Sequence, residues 1–349
     1  MDTRDTPEQA ELRRSARRLA RELGPATVAD LDDATRAKRL AGAVRDAGWL
    51  ELRNGDEDGG PLAGGVETAI VADALAGAAA DVAFTGPVLA ADLARRAGAD
   101  AGDGAVIGFS STLTRAAVVS GAATEHAAFA VDGDDTADAY VLVPEEADYR
   151  LARVPLARTT GERGGGSDLT RSVTVIPRGA PVQAVAGARR VLTEDDLAAW
   201  TALGLALTSA DLVGVMRGVL DVTVAYAADR RQFGVPVGSF QAVQHLLAEA
   251  RCLMEGSVSV ALHASWAVDN LGPVEARSAG RVAKAYCARA ARTVCESAIQ
   301  VHGGIGNTWE CIAHVYLRRA LLSSLWFGDD RHQLGALQRE RLGVSDGLS

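Results

Sequence analysis

At 349 residues the chain is longer than one hydrophobic core usually spans, so two or three domains are expected. Its 48% hydrophobic and 23% charged residues are ordinary for a soluble globular enzyme, and a net charge of -9 with a pI near 5.3 excludes the basic footprint of a nucleic-acid binder. The N-terminus, MDTRDTPEQAELRRSARR, is charged from its start with no secretory h-region, no basic amphipathic helix marks a membrane surface, and no run reaches the roughly eighteen apolar residues of a span; a cytoplasmic protein is expected.

The first helix is legible from its cap. Thr6 stands as N-cap, Pro7 at N1 and Gln9 at N3 in capping-box register, with Gly24 past the end. Leu12, Ala16, Leu19, Ala20 and Leu23 share one face, with arginines opposite. A second helix is predicted over 34–47, stopping at Gly48, and GDEDGGPLAGG (55–65) must be loop. VETAIVADALAGAAA and residues 88–97 give two more helices, so 1–104 reads as an N-terminal helical domain.

Over 105–190 the composition turns β-prone: AVIGFS, AAVVSG, AAFAV, AYVLVP and RSVTVIP are separated by turn residues, which predicts a middle β domain. Its Gly-rich loop, 160–168, lacks the Lys-Ser/Thr ending of a P-loop and reads as a solvated hairpin. From 191 to 349 the helical period returns, with helices predicted over Glu194–Asp229, 240–271, 274–302 and 312–325 and a tail helix after Gly328. Long helices joined by short turns are the signature of an antiparallel bundle. Cys252, Cys287, Cys295 and Cys311 show no CxxC spacing and are expected as buried thiols. With no Cys or carboxylate at ligand spacing from His245, His263 or His314, no metal site is expected.

Two stretches carry candidate chemistry. DRRQFGVPVGSFQ (229–241) puts Arg230, Arg231, Gln232 and Phe233 around a Gly/Pro-broken turn between two helices, and IQVHGGIGNTWE (299–310) puts Gln300 and His302 before Gly303, Gly304 and Gly306. Arginine grips a pyrophosphate through paired, charge-assisted hydrogen bonds, and glycine lets backbone N–H groups approach it. Helix-end arginines also offset the helix dipole without any ligand, and one glycine suffices for a C-cap. Phe233 beside Gly234 and Pro236 has no such structural reason and reads as a stacking platform or a subunit contact. Trp309 reads as packing and Glu310 as a helix-start carboxylate.

The order DRRQFG, SFQAVQH, AIQVHGGIGNTWE and YLRRA resembles the C-terminal domain of the acyl-CoA dehydrogenases, with their (E/D)R-x-x-FG segment, FQ pair, Q-x-x-GG-x-G turn and Y-x-R segment. The specific motifs cover about 226–319. The resemblance implies a mainly α fold with a middle β domain: an N-terminal helical domain, a barrel-like β domain and a four-helix bundle. It also implies FAD as cofactor, an acyl-CoA substrate oxidised to the 2,3-enoyl-CoA, and oligomerisation with the cofactor across a subunit boundary. By the same resemblance Arg230, Gln232, Phe233, Gln241, Gln300, His302, Gly303 and Gly304 would line the adenine and pyrophosphate end.

Other family features are missing. Most members carry the catalytic base as the Glu of a Y-E-G-T segment; here Trp326, Phe327, Gly328 and Asp329 stand there, an aromatic in place of the carboxylate. The position on the first long bundle helix that carries the base in a minority of members falls at about Gly204. The T-E-P-x-x-G-S-D loop and W-I-T/S pair that hold the flavin ring and thioester have no counterpart in GFSSTLTRAAVVSGAATEHAAFAVDG. This pattern resembles the small, degenerate subunit of heteromeric actinobacterial acyl-CoA dehydrogenases acting on steroid side-chain thioesters, with a larger homologue supplying the base. The alternatives are a self-sufficient dimer or tetramer using Asp329 or Asp330 as a displaced base, and a non-flavin scaffolding or regulatory partner. For both aspartates the structural reading is a helix cap.

Overall fold

The computed structural model describes residues 3–102, 104–133, 138–156 and 167–343. In chain order come α1 (Pro7–Leu23), α2 (Ala34–Asp46), α3 (Gly65–Gly77), α4 (Thr85–Arg96), β1 (Val106–Phe109), β2 (Ala128–Val131), β3 (Asp138–Glu145), β4 (Asp148–Pro155), β5 (Val173–Ile176) and β6 (Gln183–Ala184). Then follow α5 (Glu194–Asp229), the short hairpin strands β7 (Arg231–Gln232) and β8 (Val235–Pro236), α6 (Gln241–Asn270), α7 (Pro273–His302), α8 (Ala313–Leu325) and α9 (Asp330–Leu342).

The capping box of α1 forms as read: Thr6 Oγ1 accepts from Gln9 N at 3.2 Å and Gln9 Oε1 accepts from Thr6 N at 3.0 Å. The same device starts α5, where Thr193 and Asp196 exchange bonds. Six strands form one sheet in the order β5-β2-β1-β3-β4-β6, antiparallel except where β1 runs parallel to β3 with Val106 opposite Ala139. AAVVSG, predicted as a strand, contributes only isolated bridges, Phe109 to Ala116 and Val118 to Leu142. Sequence reading missed the two-residue β6 and, more consequentially, β4, DYRLARVP, whose two arginines obscure the buried Leu151, Ala152 and Val154. The predicted loop 160–168 falls largely on 157–166, outside the described residues.

Helix α5, with 36 residues, is the axis of the molecule. An 18-residue window in it reaches a mean hydropathy of 1.5, long and apolar enough for a membrane span and not singled out from the sequence. That window is 94% buried against neighbouring helices, which accounts for its apolarity as a core helix. Glycines let α3 cross it closely: a Cβ on Gly214 would lie 2.3 Å from Asp73 O, and one on Gly218 would lie 2.3 Å from Gly77 O.

A buried ionic hub joins the parts. Asp211 on α5 accepts from Arg171 Nη2 at 2.6 Å, Arg319 Nη2 at 2.6 Å and Ser323 Oγ at 2.7 Å. Arg171 also pairs with Asp132 at 2.8 Å, and Arg319 donates to Ala80 O at 2.9 Å. Burial opposes the Asp211 charge, but the guanidiniums of Arg319 and Arg171 overcome it and hold the carboxyl well below the usual range. Cys287, Cys295 and Cys311 are buried thiols as expected, whereas Cys252 is exposed.

Candidate functional site

Helix α5 ends at Arg230, whose N–H still donates to Tyr226 O at 2.8 Å while its carbonyl accepts from Val237 N at 2.7 Å. The chain between them folds into the β7–β8 hairpin, Arg231 opposite Pro236 and Gln232 opposite Val235. Its two corner residues are Phe233 at φ 53° and Gly234 at φ 83°, the pair of positive φ angles that a two-residue hairpin turn demands. Glycine suits that conformation and a phenylalanine does not. Phe233 is nonetheless 94% exposed, its described ring contact being Phe240, edge-on at 6.3 Å. Arg230, Arg231, Gln232 and Gln241, the first residue of α6, are also exposed.

The glycine turn sits at the same end of the bundle. Tyr226, one turn before Arg230, lies against the His302 ring at 4.2 Å, tilted by 31°, and donates its hydroxyl to His302 O at 3.3 Å. His302 itself is turned inward: Nε2 lies 3.3 Å from Thr223 Oγ1 and Nδ1 lies 3.6 Å from Cys311 Sγ. Burial lowers its pKa, which favours the neutral ring, and its contacts tie the end of α7 to the end of α5. Gly303 adopts φ 67°, ψ -144°, a region reserved for glycine. A Cβ on Gly303 or Gly304 would meet nothing, whereas one on Gly306 would strike Ile299 O at 2.8 Å. Gly306 therefore serves helix packing, whereas Gly303 and Gly304 are exposed with no Cβ to bar a close approach; the Gly303 N–H stays within the turn, donating to Gln300 O and Ile299 O, and Gln300 is exposed on the last turn of α7.

Exposed arginines, an uncovered aromatic ring and an open glycine backbone at one end of the bundle fit the pyrophosphate and adenine half of a dinucleotide by charge, stacking and approach. Trp309, expected as packing, is 64% exposed; Arg318 lies over its ring at 5.6 Å and His314 meets it edge-on at 5.2 Å. Among the described residues no group of three or more His, Cys, Asp or Glu could hold a metal ion.

The positions at which a base was sought lie elsewhere, and they meet in the core. Phe327 is 1% exposed at φ 64°, and its ring covers Gly204 so closely that a Cβ there would come within 2.1 Å of Cζ. Phe109 of β1 packs edge-on against Phe327 at 5.2 Å and Trp326 at 5.7 Å, and Trp200 of α5 lies 5.3 Å from Phe327. The Phe327 N–H donates to Leu113 O at 2.8 Å, and its carbonyl accepts from Gln333 Nε2, so backbone bonds on both sides hold the ring in place. Asp329 caps α9 by accepting from His332 N at 2.8 Å, and Asp330 is the first residue of that helix. Lys284, fully buried on α7, donates to Ser323 O, and burial brings its pKa down to about 7. Sequence reading named Gly204 and Phe327 separately. Only the fold puts them in contact.

Residues 202–342 match the acyl-CoA dehydrogenase C-terminal domain and residues 6–102 the acyl-CoA dehydrogenase N-terminal domain. The chain is 36% identical over 174 residues to acyl-CoA dehydrogenase IpdE2 of Mycolicibacterium smegmatis, covering 50% of each. The matches span half or less of the length of the first curated relatives. Among solved structures, the ChsE4-ChsE5 complex from Mycobacterium tuberculosis contains a chain that superposes with a TM-score of 0.82 at 23% identity, covering 99% of this chain and 100% of that one. A variant of the Tcur3481-Tcur3483 steroid ACAD gives a TM-score of 0.75 at 21% identity, covering 97% and 99%. The chain belongs to the acyl-CoA dehydrogenase family, whose members are FAD-dependent.

Proposed function

We propose that the chain is an FAD-binding subunit that carries no catalytic base and works with a larger homologue as a heteromeric acyl-CoA dehydrogenase on a bulky, steroid-type acyl-CoA. The observation that carries this reading is the Gly204–Phe327 contact: the two positions at which the family places its carboxylate meet as ring on backbone. FAD, when bound, supplies the hydride acceptor. Arg230 and Arg231 would grip its pyrophosphate, Phe233 would stack on its adenine, Gln241 and Gln300 would supply side-chain amide donors, and Gly303 and Gly304 would let the dinucleotide approach without a Cβ in the way. The reaction also needs a group to take the alpha proton, and general-base catalysis is worth about 10²–10⁴-fold. A partner's carboxylate would fill that role, since Phe109, Trp200, Trp326 and Phe327 fill the interior of this chain with carbon. The ChsE4-ChsE5 complex and the Tcur3481-Tcur3483 steroid ACAD, which share this fold, support the partner and the substrate class.

The test is flavin content and turnover with and without the larger homologue. Expressed alone, the chain should not oxidise acyl-CoA; copurified with the homologue, it should give a yellow, active complex. A yellow, active homo-oligomer overturns the proposal and favours a displaced base. Asp329→Asn separates the two directly, because asparagine caps a helix as well as aspartate. Activity of the complex should stay within about twofold; its loss would assign the proton transfer to Asp329.

A further inference from the structure

A cleft of about 300 Å³ opens between α1, α3, α5 and α6. It has two unlike halves. Ile70 of α3, Val213 of α5 and Val258 and Leu262 of α6 give it apolar walls, and the small side chains of Ala210 and Ala261 leave the gap between them. At its mouth stand Arg13 and Arg17 of α1 and Arg217 of α5, beside the segment containing Thr3 and Asp5.

The three arginines converge on one buried carboxylate. Asp73 accepts from Arg17 Nη2 at 3.1 Å, has Arg217 Nε at 3.4 Å, and lies 3.6 Å from Arg13 Nη1. Arg13 is otherwise committed to Asp5, at 2.7 and 2.8 Å. Three guanidiniums against two carboxylates leave a surplus positive charge on a chain whose net charge is -9. Arg217 reaches Asp73 through Nε alone, which leaves its terminal N–H groups for a planar anion. Its side chain is only 24% exposed, so a bound anion would be shielded from water and salt on one side.

We infer that this cleft binds a carboxylate-bearing apolar molecule of short to medium length, its carboxylate on Arg217 and Arg17 and its hydrocarbon between α3, α5 and α6. A forked guanidinium selects a carboxylate through paired bonds, and apolar walls select for chain length. The volume lies at the lower end of small-molecule sites, which limits the ligand to one chain. This inference stands apart from the proposed function: it uses neither the hairpin nor the aromatic cluster.

Calorimetric titration of the full chain with butanoate, hexanoate and octanoate, alongside octan-1-ol and inorganic phosphate, is the test. Affinity should rise about fourfold per added CH₂, and octanoate should bind at least tenfold more tightly than octan-1-ol or phosphate. Two variants locate the site. Arg217→Met, which keeps the length and removes the charge, should weaken octanoate at least tenfold, and Ala261→Leu, which fills the cleft, should weaken octanoate more than butanoate. Circular dichroism melting confirms that each variant folds; should one fail, the other still reports. Equal affinity for octanoate and phosphate, no dependence on chain length, or unchanged octanoate binding in the folded variants would overturn the inference.

Discussion

Two phenylalanines in this chain adopt the same unfavourable backbone conformation in opposite surroundings. Phe233 (φ 53°) caps an exposed hairpin and Phe327 (φ 64°) lies at the centre of the core. A left-handed residue with a Cβ costs about 1–2 kcal/mol. For Phe327 the compensation is internal, because burying a phenylalanine contributes about 1.5–3 kcal/mol and its edge-on contact with Phe109 adds to that. Phe233, 94% exposed, gains no burial, and its compensation among the described residues is one edge-on contact with Phe240. Strain that its own chain offsets only in part is expected where a ligand or partner makes use of it. The molecule thus holds one aromatic ring out on the hairpin that follows α5 and packs the other over Gly204 in the core.

The largest effect expected from breaking this comparison is at Phe327. Phe327→Ala should cost about 3–5 kcal/mol in chemical denaturation through the cavity it leaves over Gly204. Next comes the buried ammonium beneath the same segment. Lys284→Met should be neutral or stabilising by about 1–4 kcal/mol at pH 7, since its described hydrogen bond is to Ser323 O alone. The sign with pH follows from its pKa of about 7, depressed by burial from 10.5. Between those values the unfolded chain binds the extra proton, so wild-type stability should climb with pH, by up to about 1.4 kcal/mol per unit, relative to the variant. A wild-type and variant pair that stay parallel from pH 7 to 9 would show that Lys284 is hydrated.

At the exposed end stability and binding should separate. Arg230→Ala should lower FAD occupancy of the assembled complex by the loss of about 1.5–3 kcal/mol per charge-assisted contact, with little change in melting. Smallest and most diagnostic is Phe233→Gly: it should stabilise the isolated chain by about 1 kcal/mol by relieving the left-handed residue, and should still weaken flavin retention. A variant that gains stability and keeps full flavin content would assign Phe233 no part in the cofactor site.

Local devices were legible in the sequence, and meetings between distant segments were not. The Thr6 and Gln9 cap, the helix limits at Asp229 and His302 and the glycine turn follow from residue chemistry within a few positions. The strand β4 was hidden because Arg150 and Arg153 interrupt the apolar alternation, and AAVVSG was overread because β propensity alone does not provide a neighbour to pair with. Phe233 was singled out because a large apolar residue in a Gly/Pro turn lacks a local reason. His302, by contrast, looks the same in sequence whether its ring faces a ligand or Thr223 and Cys311. The cleft at Arg217 left no signal, since Ala210 and Ala261 read as ordinary core.

The Asp211 hub has a consequence for how the chain comes apart. One carboxylate on α5 takes hydrogen bonds from Arg171, which lies just before β5, and from Arg319 and Ser323 of α8, while Arg319 also holds the carbonyl of Ala80 beyond α3. Withdrawing any one of these segments leaves a buried charge with fewer partners, so none can detach cheaply on its own. Melting should therefore be a single step seen alike by helix, sheet and tryptophan signals, and a protease should find few partly opened forms to cut.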